Sequence, residues 1–460
     1  MTTLATPRAG RLPAGSAAAL ALPAAATLLA LMNYTAPMAT LTETARGLEA
    51  GATARIWLMS SISLGLAAAL LVTGSLADDH GRRRMFAIGA AVLTASSAAC
   101  AVAPTTGVFV AGRIVQGAAS AALLATGLGI IAAAFPPGPR RAHATGVWGA
   151  MLGLGIALGP IAAAELTSVA GWRAWYWVAA VASAVLGAVA VRVLGESRAD
   201  RPRGLDVPGL VTLGLGVAAL VAAITWGRAG WTRPGVLMLF GAAAVLLAAF
   251  AAVEARRREP MLDLALFRRP AFLLSISGAL VTGLAVIGIM SYLATVMTLV
   301  LGLSPVASAL VLAIWSGLSF VSALQARRLP ARLPAGRLLG AGLALSAVGE
   351  FAMLGLAPDA HWWRLVPGLA VSGIGSGLAN AMLARLAVES VPADRASMGS
   401  GANNTARYIG ASIGVAVVGA IATGSGEGPA ALAHGTDIAM LVSAGVALAG
   451  AVLALAIRER

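Results

Sequence analysis

Only 18 of the 460 residues are acidic, so the carboxylates that could do chemistry are few, and two of them differ from the rest by position. Asp78 lies in Gly74-Ser75-Leu76-Ala77-Asp78-Asp79-His80-Gly81-Arg82-Arg83-Arg84, a charged turn held between two apolar runs. A carboxylate there can pair with the neighbouring arginines or cap the positive end of a helix, which holds segments together and is not catalysis. Glu350 lies several residues inside another apolar run, where a carboxyl group can bind and release a proton as its surroundings change; Glu165, near the outer end of its run, is the second such carboxyl and reads as an interfacial acid. Arg113 and Arg407 also fall within apolar runs, in the company of Asn33, Tyr34, Gln116, Asn380, Asn403 and Asn404. Placing an arginine at hydrocarbon depth costs at least about 2.5 to 3.5 kcal/mol, so these side chains are expected to face a cavity or a partner. Trp148, Tyr292 and Trp315 are added as aromatic cavity candidates.

Other chemistries lack their residues. The single cysteine, Cys100, is inside an apolar run, and the four histidines are scattered without ligand spacing, so no metal site is expected. No nucleophile stands with a base, and the chain is not read as an enzyme. The phosphate-binding pattern G-x-x-x-x-G-K-[ST] is missing from the sequence, which removes ATP as the direct energy source. The glycines of Gly373-Ile374-Gly375-Ser376-Gly377 lie inside an apolar run and are packing features, not a dinucleotide fingerprint.

The elements that carry these residues are set by hydropathy. The chain is 59% hydrophobic and 11% charged, with mean hydropathy +0.87, too apolar for a water-exposed surface. Runs of about 20 apolar residues, enough to cross a bilayer, recur from end to end, and fourteen are counted. The expected fold is an all-α integral membrane protein with fourteen spanning helices. Its units are a six-helix bundle over 1–194, linkers with two extra helices over 195–269, and a second six-helix bundle over 270–460. An internal repeat joins the bundles. Gly112, Gly117 and Pro136 recur 256 residues later as Gly368, Gly373 and Pro392, and Arg140, Gly146, Gly155 and Gly159 recur 255 later as Arg395, Gly401, Gly410 and Gly414.

All 32 basic residues are arginine, giving a net charge of +14. They do not form the basic face of a soluble nucleic-acid-binding domain; they crowd alternate short loops and so report topology. Arg82 to Arg84, Arg140, Arg141, Arg198, Arg201, Arg203, Arg256 to Arg258, Arg268, Arg269, Arg327, Arg328, Arg332 and Arg395 fall on one side. The other side has Arg46, Arg55, Arg173, Arg228, Arg233 and Arg364. The bias puts both termini, a basic tail over 1–15 and the charged turn in the cytoplasm of a multi-pass cell-membrane protein. Trp57, Trp172, Trp175, Trp177, Trp226, Trp231, Trp362 and Trp363 are expected as an outer aromatic belt.

The turn resembles the signature loop of the major facilitator superfamily, G-x-L-a-D-x-x-G-R-[RK]-x, with Gly74, Leu76, Asp78, Gly81, Arg82 and Arg83 in place. Arg113, Gln116 and Gly117 match the superfamily's fourth-helix pattern, and Gly155, Gly159 and Pro160 resemble the helix-bending G-x-x-x-G-P motif of its efflux members. The helix pair between the halves is similar to that of the fourteen-helix drug:proton antiporters. Their first-helix acidic residue is replaced here by Asn33. The resemblance implies alternating access, with Asp78 latching the bundles against the start of the thirteenth segment, where Ser397 is a helix-cap candidate. It implies a monomer that exports amphipathic drugs or related small organic molecules in exchange for protons, with no cofactor beyond the proton gradient. A dedicated metabolite or lipid as substrate, or uncoupled facilitation, stays open; a membrane enzyme or scaffold is the reading from another class.

Overall fold

A computed structural model describes residues 14–200, 203–204, 206–257, 259–329, 333–426 and 428–457. The first thirteen residues of the basic tail, and Arg201, Arg258 and Arg332, lie outside the described residues. The first half consists of helices α1 (Ala14–Thr35), α2 (Pro37–Gly47), α3 (Ala52–His80), α4 (Arg82–Ala101), α5 (Thr106–Ala134), α6 (Pro139–Ala170) and α7 (Arg173–Val193). Then come α8 (Val207–Gly227) and α9 (Pro234–Arg256). The second half has α10 (Pro270–Val281), a π-helical stretch Thr282–Ile287, α11 (Gly288–Leu299), α12 (Pro305–Gln325), α13 (Ala335–Ala352), α14 (Val366–Glu389), α15 (Ala396–Gly424) and α16 (Pro429–Ala456). Thirteen helices among the described residues are long and apolar enough to cross a membrane. The fold is all-helical.

Polar residues start these helices where the chain leaves the apolar phase. Proline occupies the first turn of α6, α8, α9, α10, α12, α14 and α16, where no backbone donor is needed. Thr105, Asp206 and Ser304 accept from the backbone N–H groups of Val108, Gly209 and Ala307 as side-chain caps. Outward faces are apolar: Val181, Val245 and Val452 are more than 60% exposed, as lipid-facing residues are.

Glycines bring the helices together. A Cβ on Gly117 of α5 would overlap the Ile62 carbonyl of α3, and one on Gly373 of α14 the Trp315 carbonyl of α12. Gly155 and Gly159 of α6 face the carbonyls of Leu28 and Met32 on α1; Gly410 and Gly414 of α15 face those of Leu280 and Leu284. Such contacts let backbones touch in a solvent that offers no hydrophobic drive for helix association. Pro160 lies inside α6 and cannot donate to the carbonyl one turn earlier, at Ile156, a residue on the wall of the central cavity. The halves meet where α3 packs on α15 and α6 on α12 and α14, while α8 seats the inserted pair against α3 and α15.

Candidate functional site

The charged turn is built on the end of α3 and the start of α4. Gly81 joins them with φ +112°, a conformation that side chains resist. Its Cβ position is 2.8 Å from the Glu196 carboxyl carbon, and that carboxylate accepts from the backbone N–H groups of Arg83 at 3.0 Å and Arg84 at 3.1 Å. Gly81→Ala is therefore expected to cost about 1–2 kcal/mol through φ alone and to lower the thermal unfolding temperature of the detergent-solubilised protein by several degrees.

Asp78 is fully buried and reaches across to the other half. Its Oδ2 accepts from the backbone N–H of Met398 at 2.8 Å and its Oδ1 from that of Ser397 at 3.2 Å. Arg82, 3% exposed, donates to Oδ1 from Nε at 2.9 Å and from its terminal nitrogen at 2.8 Å, and also to the Asp394 carbonyl at 3.0 Å. Asp79 pairs with Arg395, and Gly74 leaves room for the Ser397 carbonyl. The Asp78 carboxylate thus caps α15, a placement worth up to about 2 kcal/mol when partly buried. Ser397 is not the cap that the sequence points to. Its hydroxyl accepts from Arg82 at 3.2 Å, and α15 has no side-chain cap of its own, because an acceptor from the opposite half takes its N–H groups.

Apart from Tyr34 and Glu350, the remaining polar candidates divide into two hydrogen-bonded clusters, in which Nε and one terminal nitrogen of Arg113 and Nε of Arg407 have no hydrogen-bond partner. Arg113 is fully buried and donates to the Asn33 carbonyl at 2.9 Å, to Asn33 Oδ1 at 3.3 Å and to Gln116 at 3.0 Å. Gln116 donates to Ser97 at 2.8 Å, and Trp175 to Asn33 at 3.2 Å. In the second half Arg407 donates to Asn380 at 2.9 Å, Asn403 to the Ser275 carbonyl and hydroxyl, both at 2.9 Å, and Asn404 to the Ser400 carbonyl. Neither arginine has a carboxylate partner among the described residues. None of these residues lines either of the two cavities described below; their hydrogen bonds run to one another and to backbone carbonyls inside the bundle. Trp148 is likewise core, 1% exposed. Trp172 and Trp175 are buried rather than belt residues, unlike Trp177, Trp231, Trp362 and Trp363.

Glu350 is fully buried in α13 and neither carboxyl oxygen has a hydrogen-bond partner. It sits one helix layer behind the cavity. The adjacent Gly349 presses on Gly368 and Ser372 of α14, and Gly373 of α14 presses on Trp315, a cavity residue.

The cavity, about 290 Å³, lies between the halves. Its wall takes Tyr34 and Met38 from α1 and α2, Arg55, Met59 and Ser63 from the start of α3, Thr225 with Arg228 just beyond α8, Tyr292 from α11 and Ser412 from α15. A smaller apolar space of about 40 Å³ adjoins it, with Tyr34, Ile156, Met290 and Trp315. Tyr34 accepts from Ser63 at 3.4 Å, and its ring lies 5.7 Å from that of Tyr408. Arg55 and Asp78 are at opposite ends of α3, a helix of 29 residues and so about 43 Å long. The cavity is therefore at the end away from the latch. Arg55, Arg228, Asp79 and Glu196 are the residues that sequence reasoning missed; the first two were visible as arginines on the arginine-poor side, but only as counts.

A helical bundle latched at one end and hollow between its halves is the architecture of a membrane transporter. The chain belongs to the Major Facilitator Superfamily, whose family model matches residues 24–415. It is 33% identical over 370 residues to the multidrug resistance protein Stp of Mycobacterium tuberculosis, covering 79% of this chain and 68% of that protein. Over 451 residues it is 31% identical to the puromycin resistance protein pur8 of Streptomyces alboniger, covering 94% and 89%. The solved proton:xylose symporter XylE matches with TM-score 0.68 at 13% identity, over 95% of this chain and 94% of that one.

Proposed function

We propose that this protein is a secondary active exporter that moves small amphipathic organic molecules out of the cell by alternating access, in exchange for protons. The observation that carries the reading is the paired state of the two ends: Asp78 and Arg82 seal the halves around the start of α15, while the cavity lies at the other end. The arginine bias puts the latched end in the cytoplasm, so this is the outward-facing state, with both termini inside. Export of drugs is favoured by the two relatives named for multidrug and puromycin resistance. The cavity mixes aromatic and apolar walls with a few hydroxyls, as sites for amphipathic ligands do.

The architecture is fourteen spans in two related bundles. The fourteenth is α13, 18 residues carrying Arg337 and Glu350, two charges that lower its hydropathy. The repeat is supported by equivalent glycine contacts: α5 on α3 matches α14 on α12, and α6 on α1 matches α15 on α10 and the π-helical stretch. The working unit is a monomer in the cytoplasmic membrane, and the proton gradient is its energy source. Inside-out vesicles containing the protein should accumulate fluorescent lipophilic dyes when the pH gradient is imposed and lose them when it is collapsed. Accumulation indifferent to the gradient would refute proton exchange, and no accumulation of any dye or antibiotic would refute drug export.

A further inference from the structure

We infer that the cavity selects anionic amphipaths: a small aromatic or apolar body bearing a carboxylate, sulfonate or similar oxyanion. The inference rests on the export reading above and names the class of molecule moved. The charged residues on the cavity wall are Arg55 and Arg228, and among the described lining residues there is no Asp, Glu or His. The two arginines come from different elements, the start of α3 and the end of the inserted helix α8, yet converge on one space with the hydroxyl-bearing Tyr34, Ser63, Thr225 and Tyr292.

Both guanidinium groups have donors to spare. Arg55 donates from Nε to the Ala50 carbonyl at 3.3 Å, and neither Arg55 nor Arg228 makes an ion pair among the described residues. Arg228 and Tyr292 line the same cavity, a cation and a ring on one wall. Deeper in each half, Arg113 and Arg407 are buried cations with amide and carbonyl partners but no carboxylate. Four guanidinium groups around and behind one cleft, with no acidic side chain on its described wall, build up a positive potential in it. A cationic drug would enter against that field with nothing to pair it. An oxyanion would find planar forks that bind it through charge-assisted, often bidentate hydrogen bonds, while Met38, Met59, Ile224 and Tyr34 take its apolar body. At about 290 Å³ the space suits a one- or two-ring molecule rather than a macrocycle. An inside-negative membrane potential also drives an anion outward, so the charge of the substrate adds to the driving force.

The test uses three charge states on one ring system, a permanent anion, a probe neutral at neutral pH and a permanent cation: naphthalene-2-sulfonate, naphthalene-2-sulfonamide and (2-naphthyl)trimethylammonium, radiolabelled and offered to inside-out vesicles alongside the dye panel. The sulfonate is expected to be taken up about tenfold faster than the ammonium, the scale of one charge-assisted hydrogen bond. In the double variant Arg55→Gln/Arg228→Gln the ratio of sulfonate to sulfonamide rates should fall about tenfold, with the size-exclusion profile checking the fold. Arg228→Glu should turn the preference towards the ammonium. Uptake of dyes or of the ammonium without the sulfonate would overturn the proposal and leave the export reading standing. An unchanged preference in both arginine variants would overturn it too, and failure to move any dye or naphthyl probe would remove both readings together.

Discussion

Asp78→Asn is expected to abolish net export while leaving a folded protein, by releasing the latched end. The substitution keeps the shape of the side chain but removes the charge that Arg82 and two backbone N–H groups of α15 share. Arg82 is then a buried cation, 3% exposed, without a counter-ion, and the amide turns an N–H₂ towards groups that are all donors. Breaking a buried ion pair from one side costs about 3–5 kcal/mol. That cost falls on the latched state alone, since in the opened state Arg82 can be solvated. A difference of about 3 kcal/mol moves a two-state equilibrium more than a hundredfold, enough to empty the state shown here. Spin labels on cysteines placed at the exposed His80 and Ala393 read the gap directly, because Cys100, the single native cysteine, is fully buried. Wild type should give one short distance and Asp78→Asn a long one. An unchanged short distance would mean that α3 and α15 are held by their packing, for instance Gly401 against Leu70, and not by the carboxylate.

The latch was legible because its parts are local. Gly74, Asp78, Gly81 and Arg82 fall within nine residues of one another in the sequence, and Asp78 and Arg82 face each other across the break that Gly81 makes between α3 and α4. What α15 contributes was not legible in the same way: two backbone N–H groups leave no mark on side-chain pattern, so Ser397 drew the role of cap by composition alone. The spans were readable from hydropathy, which acts along the chain. The polar residues inside them were recognisable as unable to face lipid, yet whether Arg113 meets a cavity or the carbonyl of Asn33 depends on how α5 is turned against α1. A hydrophobic helix does not encode that rotation, since almost every face of α5 is apolar. Arg55 and Arg228 posed the opposite problem. Counted as loop charges they only weaken a topological bias, and they gain meaning once the start of α3 and the end of α8 are seen to share one space.

Glu350→Gln is expected to uncouple transport from the proton gradient. Coupling needs a carboxyl group that takes a proton in one conformation and gives it up in another, and no acidic residue on the described cavity wall can do so. Glu350 is placed to serve from behind. Neither of its oxygens meets a donor or a cation, and an ionised carboxylate in such surroundings is prohibitively costly, so ionisation demands that α13 or α14 shift to admit water or a partner. That shift is transmitted without slack. Gly349 lies on Ser372 with no room for a methyl group, and Gly373 lies on the backbone of Trp315, whose ring borders the cavity. Gln has the same shape and stays neutral, so the variant should still exchange substrate across the membrane at equal concentrations. Gradient-driven accumulation should drop at least about tenfold, and the dependence of export rate on pH seen in wild type should flatten. The two readouts separate a carrier from a merely structural residue, because a variant that loosens the packing of α13 would lose exchange as well as accumulation. Full accumulation in Glu350→Gln would instead assign the driving force to the membrane potential acting on a charged substrate, and the arginines of the cavity would then carry the coupling as well as the selectivity.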